Sequence, residues 1–401
     1  MVIYYMWIEK IKDEVKFMAA FLAFKELWRN RGRFFLFSMV IALITTLVLF
    51  IAALAEGLGN GNREYIQKLD ADLIVYKKSA DLFIGASRID RANLANIRRV
   101  EGVKEVGPLS FATVSIVYAE GRQPLNVSLI GVEPGKPGEP PVVQGRELRN
   151  RRGKEVILER SAALRTGLKV GDRFTIRSIQ GTKEEFYMLE VVGIGDGRQY
   201  SLLSSIIVPY LTFDEIKPKP IVDNGNSELA FNVVAVQLNN PDDWKAMAAR
   251  IESQVSDVKA VDLKTAYENT PGYSAQQGTL NSQQFFTLLI GVLVMGGFFQ
   301  IQTLQKVPQI GMLKAIGTRN NDVAVASILQ IMMVTVVGVA MGSIITYGLT
   351  LTFPPTVPIV LTGSAAALGI GALLLIGPLG GLVSIRHALR VEPLMALGLG
   401  A

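Results

Sequence analysis

Few side chains here can do covalent or metal chemistry. Among 401 residues there is one histidine, His387, and no cysteine. That excludes disulfides, thiolate nucleophiles, cysteine-held metals and multi-histidine sites. A phosphate cradle is missing as well, because no G-x-x-x-x-G-K-[ST] occurs and neither Gly-Lys pair is followed by Ser or Thr. GLGNGN at Gly57 to Asn62 follows an apolar run rather than a βαβ strand, so its glycines are read as a bend out of a helix. The expectation is a chain with no catalytic residue, no metal site and no directly bound cofactor. One short segment invites a different kind of function. In Ile310 to Gly317 (IGMLKAIG), Ile310, Leu313 and Ile316 can share one side of a short helix while Lys314 points outward. Gly311 and Gly317 permit close approach or a C-terminal cap. Such a segment suits either a membrane surface or a cleft in another subunit.

The elements that hold this segment are membrane spans. No charged residue occurs between Asp322 and Arg386, and Pro354, Pro355 and Pro358 break that run into two stretches, 323–351 and 359–385. Each exceeds the ~20 apolar residues that cross a bilayer. Residues 34–56 form another span, too long for a signal-peptide core. Residues 285–304 form the remaining one, in a stretch uncharged from Asn269 to Gln305. Lys25, Arg29, Arg31 and Arg33 precede the first span, Lys306, Lys314 and Arg319 lie between the second and third, and Arg386 and Arg390 follow the fourth. These cations predict both termini and a loop at 305–322 on the cytoplasmic side of an inner membrane. The net charge of +6 is thereby explained by anionic lipid, with no nucleic acid needed. Residues 1–33 read as an amphipathic interfacial helix, with Ile8, Ile11, Val15, Met18 and Leu22 opposite Glu9, Lys10, Lys12, Asp13 and Lys16. Residues 386–401 form a cytoplasmic tail.

Residues 57–284 read as a folded extracytoplasmic α+β domain, so the fold class is an α-helical membrane protein of four spans with that domain between the first and second. Short β-branched strands are predicted at Ala71 to Tyr76, Ala112 to Tyr118, Leu125 to Val132, Glu155 to Glu159, Arg173 to Ile179, Tyr187 to Ile194, Ser204 to Tyr210 and Phe231 to Leu238. Helices are predicted after Asp90 and after Pro241. The strand, helix, strand pattern of 71–118 repeats at 231–261, each helix leading into VKEV or VKAV. These are read as halves of one membrane-proximal lobe, 57–140 and 216–284. An inserted β lobe, 141–215, follows the Pro- and Gly-rich linker Gly131 to Pro141.

KVPQIGMLKAIGTRNNDV (Lys306 to Val323), GRELRNRRGKEVILERSAALRTGLKVGDRFTI (Gly145 to Ile176) and SIRHALRVEPLMAL (Ser384 to Leu397) resemble stretches of the FtsX and MacB-like superfamily of ABC transporter permeases. The sequence around the first span resembles the haem-exporter, HrtB-type branch. The resemblance implies a permease homodimer that binds two cytoplasmic ATPase subunits, which supply ATP and Mg. It implies mechanotransmission through Gln309, Ile310, Gly311, Leu313, Lys314, Ala315, Ile316 and Gly317, with Gln309 in place of the commoner Glu. It further implies export, or extraction from the outer leaflet, of a hydrophobic small molecule such as haem. Membrane lipid and an extracytoplasmic adaptor are further implied partners. Extraction of lipid or lipoprotein, or control of an external hydrolase, are the alternatives. Glu56, Glu64, Tyr65 and Tyr347, near the outer membrane boundary, supply oxygens of the kind that ligate haem iron.

Overall fold

The computed structural model describes residues 31–118, 122–219, 229–270, 273–353, 357 and 359–389. The interfacial helix expected before residue 31 and the tail beyond 389 lie outside the described residues. In chain order the elements are α1 (Arg31–Gln67), β1 (Leu73–Lys77), α2 (Arg91–Arg99), β2 (Val103–Val117), β3 (Leu125–Val132), β4 (Val142–Gly145), β5 (Glu155–Leu158), α3 (Arg160–Thr166), β6 (Arg173–Gln180), β7 (Lys183–Gly195) and β8 (Ser205–Pro209). They continue with α4 (Tyr210–Ile216), β9 (Val233–Leu238), α5 (Trp244–Gln254), β10 (Val258–Asp262), α6 (Leu263–Glu268), α7 (Tyr273–Ala315), α8 (Asn320–Thr352) and α9 (Gly363–Leu389). Two compact units result, a helical one of Met1–Gly57, Gly278–Phe353 and Ile359–Ala401, and an α+β one of Leu58–Gln277 with Pro354–Pro358.

In the helical unit, α1, α7, α8 and α9 are long and apolar enough to cross a membrane. Lipid offers no hydrophobic drive for helices to associate, so close packing must supply it, and small residues make that packing possible. Gly338 and Gly342, spaced as GxxxG on α8, face Ile41, Ala42 and Thr45 of α1, where an added Cβ would come within 2.5 Å of Ile41 and of the Ala42 carbonyl. Phe34, Ile41, Val48, Met295, Phe299, Ile331, Val334 and Leu373 fill the bundle core.

Two helix boundaries differ from the sequence reading. The glycines of 57–61 do not end α1, which continues to Gln67. Their isolated helix-breaking tendency, about 1 kcal/mol each, is overridden by packing, with the Gln277 and Leu202 side chains close against Gly59 and Gly61. Helix α7 likewise runs 43 residues through Pro308, about 65 Å against the ~30 Å of hydrocarbon. The loop expected at 305–322 is therefore mostly the continuation of a span.

In the α+β unit the sheet order begins β10-β1-β9-β2, all antiparallel. The repeated strand, helix, strand segments thus interleave as a split βαβ pair of ferredoxin-like topology. Helices α2 and α5 cover one face, burying Ile97, Met247 and Ile251 against Val75 and Val236. The other face buries Tyr65 and Ile66 from the end of α1, and Leu69 just beyond it, against Ile74, Tyr76 and Leu109. Asp90 caps α2, accepting from the Asn93 N–H at 2.7 Å.

The remaining strands close on themselves. β2 pairs with β3, β3 with β8, β8 with β5, β5 with β7, β7 with β6, and β6 with β2. A six-stranded barrel follows, with Val114, Val127, Val156, Phe174, Leu189 and Ile206 inside. The lobe is not 141–215 alone, as the sequence reading had it. Strand β2 runs unbroken for 15 residues, pairing with β9 through its first half and with β3 and β6 through its second. Its Gly107-Pro108 pair reads in sequence as a turn, yet the strand continues through it and changes partners at Leu109. The Pro-rich segment Gly131 to Pro141 is also no linker, for Pro137, Gly138 and Pro140 are buried and the Gly138 carbonyl accepts from the Tyr65 hydroxyl at 2.8 Å.

Candidate functional site

The segment expected to dock a partner is the far end of α7. The Ile316 N–H donates to the Met312 carbonyl at 3.1 Å and the Gly317 N–H to the Lys314 carbonyl at 3.0 Å. Gly317 takes φ +102°, open to it because it lacks a Cβ. The chain turns there and returns as α8, whose Val323 is buried with Ile310 of α7. The site is thus the tip of a helical hairpin, not a free-standing interfacial helix. Its apolar residues divide accordingly. Ile310 serves the hairpin's own contact, while Met312 is 56% and Ile316 80% exposed. Gln309 is exposed, Gly311 buried, Lys314 half-buried and Ala315 exposed. Leu313 is helical, and its side chain lies outside what is described.

Below the tip sits a polar cluster that the sequence reading missed. The Lys306 ammonium donates to Gln330 Oε1 at 2.9 Å and stands 5.8 Å from the centre of the Phe34 ring. Gln302, one turn away, and Gln330 are both buried. Lys306 reads in sequence as an orientation-setting flank; in the structure it also crosslinks α7 to α8. The signal was available in the i, i+4 spacing of Gln302 and Lys306, two polar residues on one face of an apolar helix.

The four expected cargo ligands separate. Glu56, half-buried on α1, and Tyr347, 62% exposed on α8, belong to the helical unit. Glu64 and Tyr65 belong to the α+β unit. The Glu64 carboxylate accepts from Lys68 Nζ at 2.7 Å and from the Gln199 N–H at 3.3 Å. Tyr65 is fully buried, and burial pushes its phenol far above its ordinary range. A phenol held in a core with its hydroxyl on a carbonyl is not a surface ligand, so Tyr65 drops from the cargo set.

Among the described residues no three His, Cys, Asp or Glu side chains gather as a metal site. A cleft of about 620 Å³ in the α+β unit is lined by Lys104, Glu105, Lys136, Glu139 and Arg198 with Pro137. Lys136 pairs with Glu105 at 2.8 Å, and Arg198 Nε with Asp196 at 2.8 Å. Burial raises the Glu139 carboxyl even though the Gly135 and Leu148 N–H groups donate to it. Walls so charged suit no apolar cargo.

Comparison with known proteins bears on the whole chain. Residues 34–254 match the MacB-like periplasmic core domain, and residues 284–393 the FtsX-like permease C-terminal domain. A candidate hemin transport system permease protein, HrtB, of Staphylococcus haemolyticus is 28% identical over 379 residues, 94% of this chain and 99% of the relative. An uncharacterized ABC transporter permease of Mycobacterium tuberculosis is 24% identical over 378 residues, 92% of this chain and 97% of the relative. Among solved structures, the extracellular domain of the ABC-type transporter YknZ from Gram-positive bacteria aligns with a TM-score of 0.34 at 16% identity, covering 48% of this chain and all of that one. The periplasmic region of MacB from Actinobacillus actinomycetemcomitans gives 0.34 at 15% identity, covering 54% and 97%. The four apolar helices, the α+β domain between the first and second, and two family matches that together take in most of the chain lead to one conclusion: it belongs to the FtsX/MacB-type family of ABC transporter permeases, multi-pass membrane proteins that work with a partner ATPase.

Proposed function

We propose that this permease acts as a homodimer with two copies of a cytoplasmic ATPase and exports a hydrophobic small molecule, with haem the leading candidate. The observation that carries the coupling is the hairpin tip. Met312 and Ile316 are large apolar side chains left exposed at a turn flanked by Lys314 and Arg319, the composition of an anchor for a groove in a partner. The hairpin stem, fixed by Ile310 with Val323 and by Lys306 with Gln330, can pass a push at the tip into α7 and α8. ATP and Mg enter the cycle only through the partner. With the tip cytoplasmic, both termini are cytoplasmic too.

The haem reading is supported by the hemin-related name of the relative that aligns over nearly the full chain and by Glu56 and Tyr347 in the helical unit. A carboxylate and a phenol are oxygen donors of the kind ferric haem accepts. No charged residue lies between Asp322 and Arg386, which favours uptake from the outer leaflet over passage of an ion through the bundle. Hemin titration of the purified permease in nanodiscs tests this. Glu56→Gln or Tyr347→Phe should alter the haem absorption band and weaken binding, and Tyr65→Phe should not. A wild type that binds no hemin at micromolar concentration would move lipid or lipoprotein extraction ahead of haem.

A further inference from the structure

The last turns of α1 are gripped by the loop between β7 and β8. The Tyr65 N–H donates to the Gln199 carbonyl at 3.1 Å, and the Leu202 N–H donates to the Gly61 carbonyl at 2.9 Å. The Gly61 carbonyl and Tyr65 N–H are each other's i, i+4 partners in an α-helical ladder. Loop backbone has therefore taken hold of both halves of one helical hydrogen bond. Side chains reinforce the grip. Glu64 accepts from the Gln199 N–H, and Lys68 Nζ, bonded to Glu64, also donates to the Gly197 carbonyl at 2.7 Å. Gly61 lets the loop come close, since a Cβ there would lie 2.7 Å from Leu202 Cδ2 and push that side chain aside. The loop achieves this in a costly conformation, with Ser201 at φ 54° and Leu202 at φ 61°, left-handed values that side chains other than glycine seldom adopt.

We propose that residues 196–203 form a releasable clasp on α1, in which loop and helix compete for the same two backbone groups. With the clasp shut, Gln199 and Leu202 hold Tyr65 and Gly61. With it open, the Tyr65 N–H and the Gly61 carbonyl keep only their bond to each other within α1, and Ser201 and Leu202 leave the left-handed region. Both Tyr65 N–H and Gly61 carbonyl are bonded in either state, and release of backbone strain offsets the bonds lost by the loop. Two discrete arrangements of nearly equal free energy are what a switching element requires. A shut clasp passes movement of α1 into the barrel through β7 and β8, and an open one lets the helix slip. That use rests on the permease reading above; the exchange of partners does not.

Hydrogen exchange followed by mass spectrometry, on the full permease in nanodiscs without ATPase, tests the clasp. Peptides covering 61–67 and 196–203 should exchange as one unit, about tenfold or more faster than β1, as local opening of a low-stability segment predicts. Glu64→Ala should accelerate both by one common factor, about three- to tenfold, the worth of a hydrogen bond. Ser201→Gly, which relieves the left-handed φ while keeping the backbone bonds, should slow both together by about threefold or more. Unequal changes in the two segments, or protection of both equal to that of β1, would overturn the clasp. Adding the ATPase with ATP then separates the two claims. Exchange that responds to the variants but not to ATP turnover would remove the role in transmission and leave the partner exchange standing.

Discussion

Gly296 on α7 and Gly380 on α9 meet through their backbones. A Cβ on Gly296 would lie 3.0 Å from the Gly380 carbonyl oxygen, and one on Gly380 would lie 3.0 Å from the Gly296 nitrogen. Neither neighbour is a flexible side chain that can move aside. Gly380→Ala should therefore push the helices apart at a cost of about 1–3 kcal/mol and lower the thermal midpoint in detergent. Gly371→Ala on the same helix, where nothing lies within 4 Å, should leave the midpoint unchanged or raise it through helix propensity. Equal effects of the two substitutions would show that the glycine contact does not hold the bundle.

The hairpin tip predicts a division between folding and coupling. Ile316→Asp and Met312→Asp alter exposed side chains, so expression and membrane insertion should persist while stimulation of the partner ATPase is lost. Ile310→Asp should instead impair folding, because it places a carboxylate in the Ile310–Val323 contact, where an unpaired charge is desolvated. Coupling that survives in both Ile316→Asp and Met312→Asp would count against the tip as the docking element.

Limited proteolysis distinguishes the barrel from a lobe on a linker. The sequence of Gly131 to Pro141 predicts cleavage, whereas its buried prolines and the Tyr65 bond to Gly138 predict resistance. Trypsin is blind to this stretch, because its one target, Lys136, precedes Pro137; elastase, which cuts after small aliphatic residues, has Val132, which is buried. Rapid elastase cleavage after Val132 would contradict this packing.

That contrast shows what could be read from residues alone. The spans were legible because lipid forbids charge over 20 or more residues, a signal that needs no tertiary context. Strands β3, β5, β6 and β9 were legible from β-branched runs bounded by turns. The barrel was not, because closure depends on β2 meeting β6 some sixty residues on, and no local pattern encodes it. Proline misled in both directions. Pro308 sits inside α7, exposed, without ending it, and Pro137, in a segment that reads as a linker, is buried. At the candidate sites, Ile310 to Gly317 could be found by periodicity, but that Ile310 faces inward and Ile316 outward depends on α8 folding back.

Acid stability of the barrel should depend on Arg146 and Glu155. Two hydrogen bonds, Arg146 Nη2 to Glu155 Oε1 at 2.8 Å and Nη1 to Oε2 at 3.0 Å, hold the Glu155 carboxyl below its ordinary range, although partial burial opposes them. An acid whose pKa is lower folded than unfolded contributes stability that is present above the unfolded pKa and lost as pH falls through the folded one. Arg146→Gln should therefore lose protection of β5 amides at a higher pH than the wild type. Coincident acid transitions would show that the pair contributes nothing.

The central claim is that this chain converts ATP hydrolysis by a partner into handling of a hydrophobic cargo. Co-reconstitution of the permease with its ATPase in nanodiscs, with turnover measured with and without hemin, addresses it directly. The account predicts hydrolysis above that of the ATPase alone, a further change on adding hemin, and loss of both in Ile316→Asp. A wild-type complex whose turnover equals that of the isolated ATPase, with or without hemin, would contradict it.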